Sequence, residues 1–269
     1  DLAGEEWREA LRACKGMPLR QEIFELDVDE LEKGGQIPVK LFSTAYHNCH
    51  IHRLQPRTEN PHAVFHVTES EAITYQYELD LRPAEVTPDP RVLHNLNLTI
   101  DELGNVLQVV TVVYPRRLSH DDETLSVGDR AAIDRVQKER HVTYTETRFT
   151  NDFGEKPEDT LLARDHYRLR QPCEVTTYEV KGLNPGTEDV YFTLDELRGY
   201  RLSERYQSSG KTVETLPYHH VWKEGDPTSK RLVEQVRTLY FQANLTDPLL
   251  FGDLNHLGLV YERYKLALT

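Results

Sequence analysis

No apolar run in the 269 residues approaches the ~18–20 residues that span a bilayer as a helix. Cysteine is scarce: Cys14, Cys49 and Cys173 are too few and too scattered for a disulfide framework or a Cys-x-x-Cys metal knuckle. Basic charge is short as well. Against 45 Asp and Glu stand 32 Lys and Arg, a net charge of −13, and no basic run compensates. Nucleic acid and anionic membrane surfaces are therefore disfavoured as partners. The sequence has no Gly-x-Ser-x-Gly elbow, His-Glu-x-x-His helix, P-loop or Gly-x-Gly-x-x-Gly, which removes the hydrolase, metalloprotease and nucleotide-binding signatures. No Gly/Ser-rich or Pro-rich linker divides it, so residues 1–269 read as a single segment. With Asp at position 1 and no initiator Met, that segment is expected to belong to something longer.

What is present is patterned. Hydrophobic residues make up 38% and charged residues 29%, a balance that suggests an edge-rich architecture with much exposed surface. The 14 Tyr and 8 Phe argue against disorder. From residue 19 to 115 the hydrophobic period is two. Ile73, Tyr75, Tyr77 and Leu79 alternate with polar residues, and Val92, Leu96, Leu98 and Ile100 share a face. Val106 to Tyr114 follow as a strand apolar on both faces, expected to be covered on both. Between these runs Gly104 and Asn105 tolerate positive φ, so 92–100 and 106–114 are predicted to pair as a hairpin. "HVTYTETRFTN" and "CEVTTYEVKG" resume the alternation.

Helices are predicted at the margins. Residues 5–14 place Trp7, Leu11 and Cys14 on one face, ending near Gly16. The second half of the polar stretch 119–139 is another. "TLDELRG" has Thr193 and Glu196 at capping-box spacing. A fourth is predicted over 228–241, with Asp226 as N-cap, Pro227 at the first helical position and an apolar stripe of Leu232, Val233, Val236, Leu239 and Tyr240. The fold class is mainly β: long antiparallel strands in a curved open sheet with a few peripheral helices.

The densest set of candidate ligands is "HNCHIHRLQ", with His47, Cys49, His50 and His52, followed by His62 and His66. In a strand His50 and His52 share a face, a spacing metal sites use, but His47 and Cys49 face the other way. Glu59, Glu69 and Glu71 show no motif spacing. Ordinary polar-face histidines are the favoured reading, and His219 and His220, adjacent in sequence, are read the same way. Lys15 could lower the thiol pKa of Cys14, although a packed cysteine on the helix's apolar face is favoured. No carboxylate pair stands out as an acid–base couple. No catalytic, cofactor-binding or metal residue is assigned.

"ALRACKGMPLRQEIFELD", "HAVFHVTESEAITYQYE", "DPRVLHNLNLTIDELGNVLQ", "VTYTETRFTN", "LRQPCEVTTYEV" and "LGLVYERYKLALT" together resemble the middle-to-C-terminal region of the B subunit of bacterial Tc insecticidal toxin complexes. The resemblance runs from about Trp7 to Thr269 and is weakest over 119–139 and 183–192. It implies a secreted, non-enzymatic segment of a hollow β-shell with Rhs/YD-type character. In such complexes the B subunit joins a C subunit to enclose the C subunit's unfolded cytotoxic tail, and B docks on a pentameric A translocator. The stretch "IDELGNVLQVV" is similar to the Asp-x-x-Gly-Asn turns of Rhs/YD repeats. The family's autoproteolytic aspartates belong to the C subunit, and no residue here corresponds to them. The implied partners are the C subunit and the rest of the B subunit, with no nucleic acid and no membrane insertion. Two alternatives remain: a folded metal-binding or hydrolytic module using His50 and His52, and a carbohydrate-binding adhesion module stacking sugars on Trp7 or Trp222.

Overall fold

The computed structural model describes residues 2–26, 28–34, 39–77, 88–119, 122–154, 166–186, 190–223 and 225–266. In chain order come α1 (Gly4–Ala13), β1 (Arg20–Leu26), α2 (Val28–Glu32), β2 (Val39–Gln55), β3 (Val64–Gln76), β4 (Arg91–Ile100), β5 (Val106–Val113) and α3 (Val127–Gln137). They are followed by β6 (His141–Phe149), β7 (Pro172–Lys181), α4 (Leu194–Arg198), β8 (Tyr200–Arg201), β9 (Lys211–Thr212), β10 (Glu214–Leu216), β11 (Ser229–Tyr240) and β12 (Val260–Lys265). Strand outweighs helix, as the alternating pattern predicts. The main sheet has the order β1-β2-β3-β4-β5-β6-β7-β11-β10, with β12 also on β11, and it does not close on itself. It is mixed because β10 runs parallel to β11, whereas β1–β2, β2–β3, β3–β4, β6–β7, β7–β11 and β11–β12 are antiparallel. The predicted Leu79 falls outside the described residues.

The chain forms two compact units, residues 1–97 with 111–141, and residues 98–110 with 142–269. In the first, α1 rests on the β2–β3 hairpin, but not through the face predicted for it. Trp7 and Leu11 are 55% and 66% exposed, while Glu6 and Ala10 are 5% and 1% exposed. The buried stripe at i, i+4 is thus an acid and a small residue. Glu6 can be buried because its carboxylate accepts Arg57 N–H at 2.9 Å, Arg53 Nη1 at 2.9 Å and Ala3 N–H at 3.2 Å. Those donors hold its carboxyl below the ordinary range, Arg57 N–H contributing most. Glu9 accepts Ala63 N–H and His62 Nδ1, so the β2–β3 turn is held by the helix's acid face. The predicted helix in 119–139 is α3, with Ser126 as its side-chain N-cap.

Strands β4 and β5 form the predicted hairpin. Tyr114 N–H donates to Val92 O at one end and Asp101 N–H to Asn105 O at the other. Val92, His94, Leu96 and Leu98 are buried in strict alternation, and Gln108, Val110 and Val112 are fully buried on β5. The second face of β5 departs from expectation: Val113 is exposed, and Leu107, Val109 and Thr111 on the same face are half-buried. Cover is complete on one face only.

In the second unit, α4 carries the capping box read from the sequence, with Thr193 Oγ1 accepting Glu196 N–H and Glu196 accepting Thr193 N–H. Arg198 Nε donates to Leu98 O, tying α4 to the β4 backbone. Leu197, Leu202 and Phe192 are buried beside it.

The predicted helix over 228–241 is instead strand β11. One edge pairs with β7 along its length, and the other is shared between β10 and β12. The cause of the misreading is a bulge. Leu232 pairs with Tyr178 and Glu234 with Thr177, leaving Val233 as an extra residue. Beyond that insertion Val236 and Tyr240 fall on the face opposite Leu232, so apolar residues line both faces of the strand and their spacing imitates a helical stripe. Asp226 caps nothing helical. Its carboxylate accepts His220 Nε2 at 2.9 Å and Lys223 N–H at 2.8 Å, closing a local turn.

Candidate functional site

The histidine-rich strand can be judged from its register. His50 lies opposite Thr68 and His52 opposite His66, with His50 and His52 exposed and His66 half-buried. A bulge at Ser70 moves the pairing from Asn48–Glu71 to Cys49–Glu69. His47, on the other face, turns its Nδ1 to Glu69 at 2.8 Å, and Asn48 Nδ2 reaches Glu71 at 3.1 Å. Glu71 also meets buried His94, whose other ring nitrogen faces the Tyr114 hydroxyl. Burial pushes the His94 pKa down, against the pull of Glu71. Glu69 and Glu71 thus serve as partners for single histidines. Among the described residues no three His, Cys, Asp or Glu side chains converge on one point. His219 and His220 occupy a loop rather than a strand, and His220 is held by Asp226.

A polar chamber in the second unit was not foreseen. It has a volume of about 380 Å³ and is lined by Glu146, Tyr178, Leu202, Glu204, Arg205 and Lys230, among others. Lys230 is buried, donates from Nζ to Leu202 O, and lies 4.5 Å from the Tyr178 ring and 5.5 Å from that of Tyr144. Burial pushes its amine down, and Glu146 and Glu204 oppose that. Tyr144 accepts Gln108 Nε2 at 2.7 Å and donates to Glu146, which also meets Arg205. A lysine with a lowered pKa beside carboxylates is a composition that acid–base sites use. Here Lys230 is held by Leu202 O and Glu146 by Tyr144 and Arg205, and the tyrosine faces clamp the ammonium as a cation–π stack. Alternation along β6 and β7 would have flagged the two tyrosines; Lys230 was hidden by the helical reading of its strand.

The Asp-x-x-Gly-Asn turn has a definite construction. Asp101 Oδ1 accepts Leu103 N–H at 3.0 Å and Asn105 N–H at 2.8 Å, Oδ2 accepts Asn105 Nδ2 at 2.9 Å, and Gly104 takes φ 88°. Each residue of the motif is therefore used: the acid bonds two backbone donors, the glycine supplies the left-handed φ, and the asparagine locks the carboxylate. Arg170 clasps the corner from outside. Its guanidinium forks onto Asp152 at 2.9 and 3.1 Å and reaches Glu102 at 2.9 Å and Asp101 at 3.4 Å. Those carboxylates raise its already high pKa, Asp152 foremost.

The most exposed ordered structure is strand. All seven residues of β1 and all six of β12 are exposed, including Ile23, Phe24, Leu26, Val260 and Tyr264. Among the described residues β1 pairs with β2 alone and β12 with β11 alone. Each leaves a row of backbone donors and acceptors open beside apolar side chains. Trp222 is less available for a sugar: its Nε1 donates to Glu179, and Arg231 and Lys181 lie near its ring.

The model of the insecticide toxin TcdB middle/C-terminal region family matches residues 9–161. No curated protein matches the sequence. Among solved structures, the crystal structure of TcdB2-TccC3 aligns with 97% of this chain at a TM-score of 0.60 and 21% identity. The alignment takes up 11% of that chain, so the present residues span about a ninth of its length.

Proposed function

The chain belongs to the insecticide toxin TcdB middle/C-terminal region family, and from that we propose that it is a non-enzymatic stretch of wall in a secreted toxin B subunit. In this reading residues 1–269 act as one segment of a hollow β-shell. The shell encloses the cytotoxic part of a TccC3-like C subunit until the effector is handed to a pentameric A translocator. Docking on the translocator falls to other parts of the B subunit.

The observation that carries the reading is the pair of exposed strands, β1 and β12. A self-contained β-domain usually protects its edges with charge, proline or short strands, whereas β1 presents Ile23, Phe24 and Leu26 within seven ordered residues. Such strands suit continued pairing with further strands of the parent subunit. The outward Trp7 and Leu11 on α1 fit cover by the same surroundings. The chemistry agrees: Lys230 and Glu146 of the polar chamber are engaged by other groups of the chain, and among the described residues the histidines do not converge.

The test is hydrogen exchange on the isolated chain and on the parent B subunit assembled with its C partner, with light scattering on the isolated chain. The wall reading expects self-association in isolation, and strong protection of β1 and β12 amides only in the assembly. A tight monomer whose β1 and β12 amides are equally protected in both settings would refute it.

A further inference from the structure

Three features of the first unit converge on two thiols. Glu6, Ala10 and Cys14 recur at intervals of four and lie along one stripe of α1 and its C-cap. Arg53, Ile51 and Cys49 recur at intervals of two and share one face of β2. Eight residues of helix rise ~12 Å and four of strand span ~13 Å, so the two stripes run in step, in opposite directions. The first rung is fixed by the Arg53–Glu6 contact at 2.9 Å. At the other end Cys14 Sγ turns back to Ala10 O at 3.5 Å, and Cys14 is near enough to Cys49 to raise its thiol pKa. Ala10, between Glu6 and Cys14 on that stripe, is 1% exposed. Both cysteines are reduced and half-buried, whereas Cys173 is buried in the other unit.

We propose that Cys14 and Cys49 form an intrachain disulfide in an oxidising environment, a covalent rivet between α1 and β2. The inference goes beyond the shell reading and stands without it. The oxidant is a low-molecular-weight disulfide such as oxidised glutathione. One cysteine thiolate attacks it, forming a mixed disulfide and releasing one thiolate. The second cysteine thiolate then attacks the protein sulfur of that mixed disulfide and expels the other. The protein loses two thiol protons and two electrons, and one small disulfide becomes two small thiols. Burial and the neighbouring Cys14 push the Cys49 thiol up, so the exchange quickens as pH rises. The loop closed this way contains β1, so the rivet also fixes both ends of the segment that carries the exposed edge.

Full-length chain, purified reduced and moved into an oxidised-glutathione buffer, supplies the test by intact mass and peptide mapping. The expected product is a single covalent chain lacking two hydrogens. Its map contains one peptide linking Cys14 to Cys49, and Cys173 takes up alkylating reagent only after unfolding. Amide exchange in α1 slows on oxidation. Cys173→Ser retains the link; Cys14→Ser loses it and leaves Cys49 as a lasting glutathione adduct. Should that variant fail to fold, the wild-type map decides alone. Two persistent glutathione adducts, a disulfide-linked dimer, or thiols that stay free overturn the proposal.

Discussion

Replacing Arg170 by Met is expected to loosen the Asp-x-x-Gly-Asn corner, and the structure indicates by how much. The guanidinium makes two bonds to Asp152, whose side chain is 4% exposed, and one to Glu102, whose side chain is 67% exposed. The Glu102 pair is in water and contributes about 0–1 kcal/mol. The Asp101 contact, at 3.4 Å, is long. Almost all the cost falls on Asp152, because removing one partner of a buried pair strands the other, typically at ~3–5 kcal/mol. Asp152 would still accept the backbone N–H of residue 170 at 2.6 Å, so the low end, ~3 kcal/mol, is expected.

The assay is urea unfolding with Trp222 as reporter. The chain has two tryptophans, one in each unit, so Trp7→Phe leaves the second unit alone visible. Arg170→Met, Asp152→Asn and the double variant form a cycle, with an expected coupling of ~2 kcal/mol. Exchange of the Asn105 amide should rise in both single variants, because Asp101 loses part of its anchoring. A coupling under ~0.5 kcal/mol, the range of independent sites, would mean that the Arg170 fork does not hold the corner.

Three further outcomes follow from other contacts. Gly182→Ala should destabilise the second unit by more than ~1 kcal/mol, since Gly182 has φ +84° and an added Cβ would stand 2.8 Å from Thr228 Cα; an unchanged Trp222 unfolding midpoint would contradict this. The carboxyls of Glu6 and Glu9 are held low in the fold, chiefly by the Arg57 and Ala63 amides, so their contribution is complete above the ordinary value of 4.5 and is lost as pH falls through the lower folded values. Trp7 fluorescence and α1 exchange should therefore report release of α1 in acid, and a helix still protected with both glutamates protonated would refute that. Finally, purified protein should carry no stoichiometric zinc, copper or iron, and His50→Ala with His52→Ala should shift stability by no more than about ±0.5 kcal/mol per site; one metal per chain, lost in that double variant, would reinstate the metal-site reading.

How much of this was legible in the sequence depended on whether the local period was intact. Along β4 nothing interrupts alternation, and the hairpin could be read to within a residue; the turn was legible because Asp101, Gly104 and Asn105 each answer a backbone demand inside five residues. Helix α1 was found but assigned the wrong buried face, since apolar spacing cannot show that Glu6 will meet Arg53 and Arg57, 47 and 51 residues away. In β11 a single bulged residue, Val233, turned a strand into an apparent helix, and the error spread to chemistry. On a helix Lys230 would be one more solvated cation in the first turn. On a strand pairing with Val180, it is fixed beside the rings of Tyr144 and Tyr178. Its burial is a consequence of sheet register, set by three strands distant in sequence, and no local pattern contains it. The exposed edges obey the same logic. The composition of Arg20–Leu26 is that of an ordinary strand, and only the sheet order, which among the described residues leaves β1 with one neighbour, exposes its outer edge.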